Sequence, residues 1–329
     1  MLADRVHLSV AEAREHSERA LRGIGYDTEE ALIIADHAID AALCGYEYSG
    51  LAKLLNIPEH RRFKRPRSAM KVIRETELST LYDGGNNVGM LVMYHAARAA
   101  IDKAAARGVA IVGVTNSWMS GRSAYYMEMV AKADLVGMHT AASTRSVAPV
   151  GGARPALGTN PIAFGNPSSR GPVVLDMGTS AFMGTDLAYR ARVGRLLPEG
   201  VAVDAEGRPT RDPAVARLGA LLPFGGYKGF GLAFIVQALG VLAGSAFDPD
   251  KDDGYLFVVM KPDLLIDPED FKQQISALID RIKATPRQPG VDEIRIPGER
   301  AFRSREQALR DGIEIDRVVY EALKSLHLD

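Results

Sequence analysis

The chain has 329 residues, 47% hydrophobic and 25% charged, with 40 Lys and Arg against 41 Asp and Glu. That length supports one large α/β unit with a smaller lobe, or two domains, and the charge balance supplies no global field for nucleic acid or a membrane surface. A single cysteine, Cys44, excludes an internal disulfide framework and any multi-cysteine zinc site; with no long apolar leader and no apolar run of 18 residues, the expectation is a cytoplasmic protein.

The N-terminal stretch MLADRVHLSVAEAREHSERA alternates charged and apolar groups at helical spacing. SVAEAREHSERALRGIGY and TEEALIIADHAIDAALCGY predict two helices, capped by Ser9 and Thr28. The basic run HRRFKRPR, residues 60–67, reads as a solvated connector. From STLYDGG onward short apolar runs alternate with helices: MLVMYHAARAAIDKAAARG helical, VAIVGVTNS a strand, AYYMEMVAKAD helical, LVGMHTAAS a strand. This alternation predicts a sheet with helices on its faces. NPIAFGNPS and PVVLDMGTS follow as apolar runs broken by turn residues, then a loop-rich stretch with DAEGRPTRDP, then an apolar helix after Lys228. GYLFVVMKPDLL predicts a strand, PEDFKQQISALIDRIKATP an amphipathic helix, PRQPGVDE an exposed loop, and SREQALRDGIEIDRVVYEALKSL closing helix.

Few residues announce chemistry. The seven histidines show no H-E-x-x-H or paired spacing, which speaks against a metal site, and no G-x-S-x-G is present. LLPFGGYKGFGLAFIVQALG sets Lys228 among glycines at a helix start, where unpaired amides and the helix dipole favour an anion. It matches neither a P-loop nor a Rossmann turn, so a glycine-rich turn that lets the helix pack closely stays equally open. Asp176 ends the run VVLD where a strand should stop, the usual place for ligands on an open α/β sheet, though a turn or cap aspartate fits as well. Glu299 and Arg300, in IPGERAF, also follow a strand-like stretch.

Taken in order, SVAPVGGARPALGTNPIAFGNPS, VVLDMGTS, LPEGVAVDAEGRPTRDP, LLPFGGYKGFGLAF and IPGER resemble the type-2 malate/L-lactate dehydrogenase family, from about residue 10 to 325. That family includes ureidoglycolate and sulfolactate dehydrogenases, diketogulonate reductase and the reductase of piperideine-2-carboxylate. The resemblance implies a mixed-sheet α/β fold distinct from the Rossmann type, with a helical N-terminal layer. It also implies a nicotinamide cofactor, NADPH or NADH, a small-molecule carboxylate substrate, and a homodimer. Cofactor contacts carry over to Val174, Leu175, Asp176, Met177, Gly178, Thr179 and Ser180, to Tyr227 with Lys228, and to Gly298, Glu299 and Arg300. The expected division is 1–75 as a helical substrate and dimer region, 76–304 as the α/β cofactor-binding and catalytic region, and 305–329 as a C-terminal helix packing on the rest.

The departures fall where the family places its substrate chemistry. By the resemblance Tyr48 stands for the family Ser, Ser49 for the catalytic His and Lys53 for the carboxylate-binding Arg; Met119 and Tyr227 replace two further histidines. Tyr48, Ser49, Lys53 and Asp176 are therefore the catalytic candidates. Tyr46, Tyr48 and Lys53 form an acid–base set if a helical turn brings them together, whereas the tyrosines otherwise line a more aromatic pocket. The expected activity is hydride transfer from NAD(P)H to a 2-oxo acid or cyclic imino acid. The alternatives are a dinucleotide-binding protein without dehydrogenase activity, or a changed reaction on the same cofactor.

Overall fold

The computed structural model describes residues 4–248 and 251–327. Strand β1 (Arg5–Leu8) precedes helices α1 (Val10–Gly23) and α2 (Thr28–Leu43). Capping boxes start both helices: Ser9 with Glu12, and Asp27 with Glu30. The α2 cap is thus Asp27 rather than Thr28, because the carboxylate one residue earlier reaches the Glu30 amide at 2.9 Å. A 3-10 turn (Glu47–Ser49) leads into α3 (Leu51–Leu54) and α4 (Asn56–Glu59). Next come β2 (Lys71–Glu75), β3 (Ser79–Val88), α5 (Gly89–Arg107), β4 (Val109–Trp118), α6 (Ser123–Lys132) and β5 (Val136–Ala142). Strands β6 (Ile162–Asn166) and β7 (Val173–Met177) are followed by α7 (Gly184–Val193), β8 (Ala202–Val203), α8 (Pro213–Ala216) and β9 (Ala220–Leu221). The chain closes with α9 (Tyr227–Leu242), β10 (Gly254–Met260), α10 (Pro268–Lys283), α11 (Glu299–Asp311), β11 (Ile313–Asp316) and α12 (Arg317–Lys324).

The main sheet has seven strands in the order β2-β3-β4-β10-β5-β6-β7. Only β3 and β4 run parallel, joined by α5; the other neighbours are antiparallel. A sheet of this kind has no doubly wound nucleotide crossover, and the mixed α/β fold anticipated from sequence is what the chain adopts. Helix α5 buries an alanine stripe, Ala96, Ala97, Ala100 and Ala104, against Val112, Val114, Phe257 and Val259. Small side chains let that helix lie close on the sheet. A second core joins α1, α2, α3 and α12 through Leu21, Ile34, Ile39, Leu54 and Leu323. Strands β1 and β11 pair antiparallel, Arg5 opposite Asp316, so both chain ends belong to the helical layer.

Four differences from the sequence reading stand out. Arg5–Leu8 is a strand, and IEID interrupts the closing helix as β11; among the described residues each pairs with the other alone, some 300 residues away, which no local periodicity reveals. Helix α7 lies in the stretch read as loops. IRIP before Gly298 is coil rather than strand. The basic run is solvated only in part: Arg61, Lys64 and Arg65 are exposed, but Arg62 is buried and donates to Asn86 Oδ1 at 2.8 Å and Ser117 O at 3.1 Å, while Arg67 pairs with Glu30 at 2.9 Å. The 75/76 boundary falls at the β2–β3 turn and the 304/305 boundary inside α11. Among the described residues no helix is long and apolar enough to cross a membrane.

Candidate active site

Three motifs distant in sequence meet at the edge strand β7. Thr179, just beyond it, donates its N–H to Thr159 O at 2.9 Å, and its own carbonyl accepts the Phe224 N–H at 3.1 Å. This ties LDMGTS to the turn before α9. A Cβ on Gly229 would sit 2.6 Å from the Thr179 carbonyl, so this glycine permits the approach. Gly298, with φ +91°, abuts the Val174 carbonyl from the other side. Gly225 and Gly226 adopt φ of +54° and +61°, in a tight turn whose Gly225 and Phe224 carbonyls accept the Lys228 and Gly229 N–H groups at 3.4 and 2.9 Å. Lys228 is exposed there, and Tyr227 is 73% exposed. The Glu299 carboxylate is taken up by Lys283 at 2.6 Å and the Ile296 amide at 3.0 Å.

A cavity of about 890 Å³ opens beside this junction. Asp176, Met177, Gly178 and Ser180 line one wall; Tyr46, Tyr48, Ser49 and Lys53 line another. Val174, Leu175, Thr179, Tyr227, Lys228, Gly298, Glu299 and Arg300 are not in its lining. The 3-10 turn and α3 bring Ser49 and Lys53 into the wall because Gly50 separates them: a Cβ there would lie 2.8 Å from that of Ala42 on α2. The Tyr46 and Tyr48 rings stand edge to face, 6.1 Å apart.

Lys53 is the cation this wall leaves alone. It is 4% exposed, and among the described residues no ion-pair partner meets its ammonium. Burial pushes its pKa down to about 8. The Tyr48 phenol moves the other way, held well above its ordinary value by burial and then by Tyr46, Asp186 and Asp176, which leaves it a poor proton donor at neutral pH. Asp176 accepts the Ala124 N–H at 2.8 Å; burial raises its pKa, while the amide and the Arg122 charge oppose that rise.

Residues the sequence reading passed over complete the cavity. Arg122, 8% exposed, donates from Nη1 to Asp40 at 2.6 Å and lies over the Tyr46 ring at 5.4 Å. Arg300, an expected cofactor contact outside the lining, covers the same ring at 4.7 Å. At the far end Asp253 is lifted to about 6 by burial, with Arg62 Nη1 3.9 Å away. The only sequence signal for Arg122 was an arginine directly after a glycine between a strand and a helix.

No histidine supplies a neutral-pH group here. His60 faces the cavity but stacks on Trp118 at 4.3 Å, and burial lowers it to about 4. His37 and His139 are fully buried outside the lining, both pushed down by burial. Among the described residues no group of three or more His, Cys, Asp or Glu is placed to hold a metal ion.

A family profile described as malate/L-lactate dehydrogenase matches residues 8–324. The chain is 35% identical over 316 residues to L-sulfolactate dehydrogenase of Methanothermobacter thermautotrophicus, covering 92% of this chain and 91% of that protein. It is 36% identical over 240 residues to the Delta(1)-pyrroline-2-carboxylate/Delta(1)-piperideine-2-carboxylate reductase of Pseudomonas putida, covering 69% and 68%. Among solved structures, a dehydrogenase from Sinorhizobium meliloti superposes with a TM-score of 0.90 at 29% identity, over 98% of each chain.

Proposed function

The chain belongs to the malate/L-lactate dehydrogenase family and is therefore an oxidoreductase; from that premise we propose that it reduces a small 2-oxo acid or cyclic imino acid with NAD(P)H, Lys53 delivering the proton. The observation that carries this reading is the buried, unpaired Lys53 ammonium on the cavity wall opposite Asp176.

The cavity suits the cofactor. Its volume lies in the range of roughly 300–1,000 Å³ that takes drug-sized molecules, far more than a three-carbon acid needs. The glycine turn before α9 offers open backbone to a phosphate: nothing lies within 4 Å of a Cβ built on Gly226. Met177–Ser180, Tyr227 with Lys228, and Gly298 with Arg300 are the residues to hold it. When bound, the nicotinamide supplies a hydride to the carbonyl or imine carbon.

The protein must then deliver a proton to the developing alkoxide. With Ser49 where the family resemblance places an imidazole, the group with a pKa nearest neutrality on that wall is Lys53. Its Nζ–H passes to the substrate oxygen, leaving a neutral amine that the dry wall tolerates better than the ammonium; solvent reprotonates it. Asp176, held by the Ala124 amide, orients the reacting group. An imine that arrives already protonated needs no such donor.

The α9 face supports a homodimer. Phe234, Ile235 and Leu242 are 60%, 54% and 68% exposed on one helix, a patch that water would disfavour. A single buried Cys44 accords with a reducing cytoplasm.

The test is NADH and NADPH oxidation over a panel of 2-oxo acids and cyclic imines as a function of pH. The rate on a 2-oxo acid falls as pH passes about 8, where Lys53 loses its proton. A rate that shows no fall there would contradict the lysine donor. Cofactor binding without turnover of any substrate would give a dinucleotide-binding protein instead.

A further inference from the structure

We propose that Arg122 grips the substrate carboxylate, an inference that rests on the reductase reading above and assigns the anchor to a residue outside the α3 segment. If Lys53 gives up its proton during turnover, it is neutral at the end of the step and no longer attracts an anion. An anchor has to stay charged throughout. A guanidinium does so at any working pH, and its planar fork matches a carboxylate in two parallel hydrogen bonds, which an ammonium cannot do.

The structure builds such a fork into the cavity wall. Arg122 follows Gly121, whose φ of +82° and tight approach to His37 leave no room for a side chain. The Arg122 N–H donates to His37 Nε2 at 2.8 Å, and burial together with the Lys53 and Arg122 charges keeps that imidazole neutral and accepting. Asp40 holds Nη1 at 2.6 Å and is shared with Arg305 at 2.8 Å, which Glu128 fixes in turn at 2.6 Å. The Tyr46 ring lies against the guanidinium. Among the described residues this Asp40 contact is the one hydrogen bond shown for the Arg122 side chain, so most of its five N–H groups remain for a ligand in the cavity that it lines. With Glu128 also pairing Arg305, Asp40 serves to fix the position of the Arg122 guanidinium at the cavity wall. A 2-oxo acid carries its carboxylate next to its carbonyl, one group for Arg122 and one for Lys53.

Oxamate, an uncharged-amide analogue of pyruvate that keeps the carboxylate, and oxamide, which lacks it, separate the roles. Their affinities are measured by calorimetry with NADH or NADPH present, for the wild type, Arg122→Gln and Arg122→Lys. The wild type prefers oxamate, and Arg122→Gln reduces that preference about 10- to 150-fold, the worth of a charge-assisted pair. Arg122→Lys recovers part of it, and kcat on a saturating 2-oxo acid falls less than kcat/KM. A preference unchanged in both variants overturns the proposal, as does a wild type that binds oxamate no better than oxamide. Equal loss for both ligands assigns Arg122 a purely structural role and overturns it too. Arg122→Lys keeps the test in force if Arg122→Gln does not fold. Because ligand binding is read directly, a wild type that binds oxamate through Arg122 but oxidises no cofactor refutes the reductase reading alone.

Discussion

Replacing Lys53 with Met keeps the length and apolar stem of the side chain and removes only the buried charge. The ordinary lysine value of 10.5 falls to about 8 in the fold, and burial is the sole cause. The folded state thus disfavours the ammonium by about 3 kcal/mol relative to the unfolded chain. Below pH 8 both states carry the proton, and the folded protein bears this cost in full. Between pH 8 and 10.5 the unfolded state binds more protons, so stability rises with pH and the cost fades. Lys53→Met should therefore stabilise the unliganded protein at pH 7 by about 3 kcal/mol, a rise of roughly 4 °C in Tm for a chain of this size. The gain should shrink to about 1 kcal/mol near pH 10. The same variant should lose most turnover on 2-oxo acids. Urea unfolding of both proteins at the two pH values, beside NAD(P)H oxidation rates, reads all three outcomes. A variant less stable than wild type at pH 7, or a gain that ignores pH, would refute the picture of an unpaired buried ammonium.

Two further predictions concern the cofactor and the assembly. Lys228→Ala, at the exposed start of α9, should weaken NAD(P)H binding by about 1.5–3 kcal/mol in a fluorescence titration without moving Tm, and unaltered affinity would return the glycine turn to a packing role. Phe234→Glu should convert a dimer to a monomer in sedimentation velocity, because it sets a charge in the middle of the apolar α9 face; a wild type that already sediments as a monomer would refute the interface.

Much of the chain's organisation could be read before any coordinates. The Ser9 cap, the apolar spacing of α1, α2, α5 and α10, and the runs that became β4, β5 and β10 are local properties of consecutive residues, and they gave the right element types. The LDMGTS and GGYKG motifs carried the family because glycines at tight turns and a carboxylate at a strand end are local demands as well. Tertiary structure alone decided what depends on distant partners. Strand β10 enters the sheet between β4 and β5, and β1 finds β11 across the whole chain. Arg62 lies in a basic run that looks like surface until Asn86, Asn116 and Ser117 close over it. The same holds for the chemistry. Tyr48 and Lys53 were visible as candidates, but the direction in which each pKa moves depends on desolvation by elements from elsewhere in the chain, which raises the phenol and lowers the ammonium. Arg122 stayed hidden for a related reason: a guanidinium becomes a ligand fork only when His37, Asp40 and Tyr46, all from the helical layer, hold it against a cavity, and no spacing within GRSAYY encodes that meeting.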